Sequence, residues 1–207
     1  CILSEVVFCA LCGHVCSRKV RKSQTFVWCC RTHLQSAALC PLKPVSETEI
    51  QQAFLSVYNK LQSNQSYILQ PIIDTLLQLR FLQEQANSAR QTARDDVQRL
   101  AKQRHNLTRI HTLGYIDNAQ FLERSIALDQ QLREKKKFLS KRTTDNSFER
   151  VLFQTRSIQQ QLGSSPPLET FDGTIFTKLV NRVQVSPTTI EFKFMNGMTL
   201  SEKRSSL

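Results

Sequence analysis

FCALCGHVCSRKVRKSQTFVWCCRTHLQSAALC, residues 8–40, gathers six of the seven cysteines of a 207-residue chain. Cys9 and Cys12 form a Cys-x-x-Cys pair followed by Gly13, a spacing that lets two thiolates from one tight turn face the same ion at about 2.3 Å. Some way downstream, Cys29 or Cys30 together with Cys40 can supply a second pair, with a two-stranded ribbon between the halves. Four thiolates close a tetrahedral zinc site and leave no position for water. Such a site is structural, and holds together a fold too small to be stable on its own core.

Working outward, the charge is the next constraint. Twenty-eight Lys and Arg against seventeen Asp and Glu give +11 and a pI near 9.6, which favours a polyanionic partner, nucleic acid ahead of membrane. No stretch approaches the roughly 20 apolar residues of a membrane span, and no signal-peptide pattern precedes the cysteines, so no membrane partner and a cytoplasmic location are expected. An odd, clustered set of cysteines fits metal ligation in a reducing compartment better than a disulfide framework. The chain begins with Cys1 and is therefore expected to be a piece of a longer protein.

Residues 14–22 and 25–30 read as the strands of a hairpin with Ser23 and Gln24 near its tip. Arg18, Lys19, Arg21 and Lys22 cluster on the first strand beside Phe26 and Trp28, and with Arg31 and Lys43 they face a single acid, Glu5, before Ser46. That is the composition of a ribbon lying along phosphates; the alternative is an edge strand guarded from aggregation by its lysines. Ser46 and Glu49 then form a capping box for a helix over 47–62, whose apolar face carries Ile50, Phe54, Val57 and Leu61.

From Gln65 onward the chain is helix-forming. Ile72, Leu76, Leu79, Gln83, Ala86, Arg90, Ala93, Val97, Leu100, Arg104 and Leu107 step by alternating fours and threes, the seam of a coiled coil with polar interruptions that fix register. Pro71 is expected in the first turn or at a kink. Gly114 suits the left-handed position after a helix, and Asp117 with Gln120 suits the start of a return helix carrying Phe121, Leu128, Leu132 and Leu139 and reaching about residue 162. After the GSSPP linker at 163–167 come a short helix capped by Asp172 and a three-strand meander with an Asn196-Gly197 turn. The expected fold class is α+β: residues 1–62 the first part of a zinc β-ribbon domain, 63–162 an antiparallel coiled-coil arm, and 163–207 a helix and strands that pack back on the first part.

The order of these parts, with LSEVVFCALCG, VWCCR, the Gly-Tyr-Ile-Asp reversal and FTKLVNRVQVSPTTIEFKFMNG, resembles the C-terminal part of large serine recombinases over essentially the whole chain. The resemblance implies a structural zinc ion on Cys9, Cys12, Cys30 and Cys40. Cys30 is taken over Cys29 because the family's cysteine stands two residues after the aromatic, here Trp28; Cys16, His14 and His33 remain reserves. It further implies that the ribbon binds the double-stranded attachment site, with Arg18, Lys19, Arg21, Lys22 and Arg31 as the DNA contacts. Gly114, Tyr115, Ile116 and Asp117 would form the coiled-coil tip that meets other recombinase subunits in synapsis, and a recombination directionality factor is a further candidate partner. The family's chemistry is a serine attack on a phosphodiester that leaves a phosphoserine–DNA link, used in DNA integration and excision by mobile elements. No serine here lies in the arginine-rich setting that reaction needs, so the chain itself is expected to have no catalytic residues. The rival reading is a zinc-ribbon and coiled-coil scaffold that binds proteins and not DNA.

Overall fold

The computed structural model describes residues 2–21, 23–140 and 147–204. They form two compact units, one of residues 1–76 and 149–207, the other of Leu77–Phe148. The division falls inside the helices and not at 62/63 and 162/163. The reason is packing: Leu69, Ile158 and Leu162 belong to the same apolar core as the strands.

In the first unit, β2 (Cys16–Val20) and β3 (Phe26–Cys30) form the expected antiparallel hairpin, in register from Cys16 opposite Cys30 to Val20 opposite Phe26. Its turn closes through the Arg21 amide to the Thr25 carbonyl at 2.9 Å, with Gln24 at φ +57°. The edge of β3 is covered by the two-residue β4 (Val45–Ser46), and Ser46 at once caps α2 (Glu47–Ser63), its Oγ accepting the Glu49 amide at 3.0 Å. Only half of the predicted capping box forms, because the Glu49 carboxylate turns instead to Arg204, 3.1 Å away.

A second sheet has the order β1 (Val7–Cys9), β5 (Val180–Val185), β6 (Thr189–Phe194), β7 (Thr199–Lys203). The last three are the predicted meander. The fourth strand was not anticipated: β1 lies parallel to β5, Val7 opposite Val183 and Cys9 opposite Val185. Three residues are too few for a periodicity to show. The β6–β7 turn places Gly197 at φ +87° after Asn196, and buried Asn196 donates to Thr155 of α5 (Ser147–Ser164) at 3.1 Å. Asp172 caps α6 (Gly173–Leu179) through the amides of Thr174 and Ile175, as expected.

Between the two sheets' strands, α2 supplies Ile50, Phe54, Val57, Tyr58 and Leu61 to the core. Phe54 is its hub, with ring contacts to Tyr58, Phe171, Phe176 and Phe192. A short helix, α1 (Arg31–Gln35), was also not foreseen in the sequence. Helix α3 (Gln65–Thr112) carries Pro71 in its second turn, inside the helix.

The second unit holds most of α3 and α4 (Asn118–Ser140), antiparallel. Ala93, Leu100 and Leu107, seven apart, are buried with Leu132 of the return helix, as the heptad seam requires. The polar interruptions make specific bonds: Arg90 donates to the Leu139 carbonyl at 2.7 Å and Arg104 pairs with Asp129 at 3.1 Å. Lys135 meets Asp96 at 2.8 Å, and the His111 ring stacks on Phe121 with centroids 4.2 Å apart. The helix end is a Schellman motif: Gly114 at φ +77° donates to His111 and Tyr115 donates to Ile110. Asp117 Oδ1 then accepts the Gln120 amide at 2.8 Å, which starts α4.

Truncating the hub is the severest single change in this core: Phe54→Ala is expected to cost about 3–5 kcal/mol, read as a shift in urea midpoint by fluorescence of Trp28, the chain's one tryptophan.

Candidate functional site

Each of the four cysteines nearest one another is held by a different piece of backbone. Cys9 ends β1, and the turn after it is closed by hydrogen bonds from Gly13 to Cys9 (3.0 Å) and from Cys9 to His14 (2.9 Å). Gly13 sits at φ +74°, a conformation a side chain would strain. That turn presents Cys12. Cys30 ends β3, and Cys40 follows α1, its carbonyl bonded to His33 Nδ1 at 2.7 Å. The four Sγ atoms all lie within 4.8 Å of one another, with Cys9 to Cys40 at 3.5 Å and Cys12 to Cys30 at 3.3 Å. An ion about 2.3 Å from each sulfur would set the edges of its tetrahedron at about 3.8 Å. The set therefore fits a four-thiolate metal centre.

Cys29 faces the other way. It lies opposite Ser17 while its neighbour Cys30 lies opposite Cys16, and adjacent strand residues point to opposite faces. Cys16, His14 and His33 are likewise outside the four-sulfur set. His14 instead stands behind a ligand: its Nδ1 is 3.1 Å from Thr32 Oγ1, which is 3.5 Å from Cys12 Sγ. Thr32 and His14 thus orient Cys12, a role the sequence signals only by their nearness to the cysteines.

The thiols are unequal. Burial pushes Cys9 up to about 12, against the pull of the Cys12 and Leu11 amides. Burial also raises Cys40, opposed by the Leu42 amide. Hydrogen bonding from Thr32 brings Cys12 down to about 5. An arriving cation must displace protons from the raised thiols, so acid favours release.

The basic residues separate by strand alternation. Arg18 shares the Trp28 face, and its fork closes on Glu47 at 2.6 and 2.7 Å, with the guanidinium 3.4 Å over the Phe26 ring. Glu47 also accepts from the Trp28 indole at 3.2 Å. Arg18 is therefore a clamp between the hairpin and α2. Lys19 and Arg21 lie on the opposite face, exposed, with no side-chain acceptor among the described residues. Arg31 donates one nitrogen to Ser17 at 3.0 Å. Lys22 lies outside the described residues. In the other unit, Tyr115 and Leu113 at the reversal are exposed.

Residues 2–59 match the recombinase zinc beta ribbon domain. All four converging cysteines lie inside the matched segment. Among solved structures, the chain is similar to one described as "Crystal Structure of a LSR-DNA Complex", at 14% identity and a TM-score of 0.35. The likeness covers 94% of this chain and 56% of that one, so the chain spans about half of that protein's length. No curated protein matches. No helix among the described residues is long and apolar enough to cross a membrane.

Cys30→Ser is expected to abolish stoichiometric metal binding at the four-thiol centre, whereas Cys29→Ser keeps it, read by elemental analysis of the purified chain. Thr32→Val should release the ion to a chelator several-fold faster while Thr32→Ser stays near the parent, and release from all three should quicken as pH falls.

Proposed function

We propose that this chain is the DNA-binding and synapsis region of a serine site-specific recombinase acting in DNA integration or excision. The observation that carries the reading is the four-thiol centre inside a segment that matches the recombinase zinc ribbon, beside exposed and unpaired Lys19 and Arg21.

In this reading the ion is zinc, and it is structural. Four thiolates fill its coordination and leave no site for a reacting water. The centre would carry a charge of about −2, so attraction for DNA comes from the side chains. Lys19, Arg21 and Arg31 are the duplex contacts of the ribbon, with Lys22 assigned by sequence alone. Arg18 contributes through the hairpin's attachment to α2, because its bidentate edge is already engaged by Glu47.

The helical arm is the subunit-contact element. Its reversal at Gly114–Asp117 is fixed by the Schellman motif and the Asp117 cap, so Tyr115 is presented by a rigid turn rather than a loose loop. Other recombinase subunits are the proposed partners there, and a directionality factor is a further one. Strand cleavage through a phosphoserine–DNA link is assigned to another part of the full-length recombinase, and location to the cytoplasm.

Replacing Lys19, Arg21 and Arg31 together by Gln should weaken binding of a fluorescein-labelled duplex by tenfold or so, and flatten the salt dependence by about 0.9 per lost phosphate contact. Unchanged affinity would leave the protein-scaffold reading. The parent chain should leave supercoiled plasmid uncut, and nicking by it would overturn the assignment of cleavage elsewhere.

A further inference from the structure

The outer face of the β1–β5–β6–β7 sheet carries a second set of cations with no anionic partner among the described residues. Three basic residues of this unit are held by carboxylates: Arg18 by Glu47, Lys60 by Glu202, and Arg204 by Glu49. Arg182 and Lys193 are not. They stand directly opposite each other on β5 and β6, and neither side chain has a hydrogen-bond or ion-pair partner among the described residues. Like charges facing each other across strands destabilise a sheet. Such a pair gains from an anion that bridges it.

Arg182 is also held ready for one. Its guanidinium lies 3.7 Å from the centroid of the Phe8 ring, a cation–π stack that restrains the fork while leaving its N–H edges free for oxygen acceptors. Guanidinium forks match phosphate bidentately, and an adjacent ammonium adds a point charge. Lys203, on the neighbouring strand β7, is exposed. One acid, Glu191, lies a register step away, opposite Gln184 and Ser201, and tempers the field of the face.

We propose that Arg182 and Lys193 form a second phosphate-contact site, which lies against the duplex backbone when the ribbon face of Lys19 and Arg21 is engaged. The inference rests on the DNA-binding reading above and extends it from one sheet to both. The two sheets are joined through β1, since Phe8 bridges to Val15 on one side and pairs with Gln184 on the other. The occupant is a polyanion of regularly spaced phosphodiesters, because an isolated carboxylate would satisfy the fork but not the neighbouring ammonium.

The test is fluorescence anisotropy of the full chain with a labelled mixed-sequence duplex, across a salt series, for the parent, R182Q/K193Q, K19Q/R21Q and E191Q. Circular dichroism melts confirm that each variant is folded. R182Q/K193Q is expected to reduce the steepness of the log-affinity against log-salt plot by about 1.8, two contacts at about 0.9 each, with a tenfold or larger loss of affinity at moderate salt. E191Q, which removes the opposing charge, should bind more tightly than the parent. If R182Q/K193Q binds like the parent while K19Q/R21Q is weakened, the second site is overturned and the DNA reading stands. If neither variant changes binding, or the parent binds no duplex, both are overturned.

Discussion

The convergence of four thiols is the constraint on which the first unit depends. Cys9, Cys12, Cys30 and Cys40 come from a strand end, a turn, a second strand end and the segment after a short helix. None of these pieces is long enough to fix its own position. The hairpin has five residues a side and β1 only three, well short of independent stability. An ion at the centre would join them, and because β1 is also a strand of the other sheet, the same centre would tie the N-terminal ribbon to residues more than 170 positions later. With a metal bound there, binding and folding would be one equilibrium.

Apolar packing takes over where the metal stops. α2 leaves the ribbon at Ser46 and buries a continuous face against β6 and β7, and Phe54 gathers four aromatic neighbours. Two ion pairs, Arg204 with Glu49 and Lys60 with Glu202, fasten β7 along the same helix. The helical pair of the second unit is built differently. Its apolar seam is thin, and Arg90, Arg104 and Lys135 supply polar contacts that define one register, as polar residues in a coiled coil do at some cost in stability.

Features with strong local chemistry were legible in the sequence: the α2 cap at Ser46, the Gly114 reversal, the Asp172 cap and the Asn196-Gly197 turn. What escaped depends on contacts far apart in the chain. β1 is a strand only because β5 lies beside it, and Glu49 abandons its capping partner only because Arg204 arrives. The basic cluster at Arg18 to Lys22 read as one surface, yet strand alternation sends Arg18 to the Trp28 face, where Glu47 claims its fork. Pro71 is carried inside α3, where Leu69 and Ile73 on either side of it are buried, so packing overrides the helix-breaking preference.

X-ray absorption at the zinc edge of the purified chain tests the central claim most directly. The account predicts a first shell of four sulfur scatterers at about 2.3 Å. A shell containing histidine nitrogen, or an oxygen from water, would contradict it.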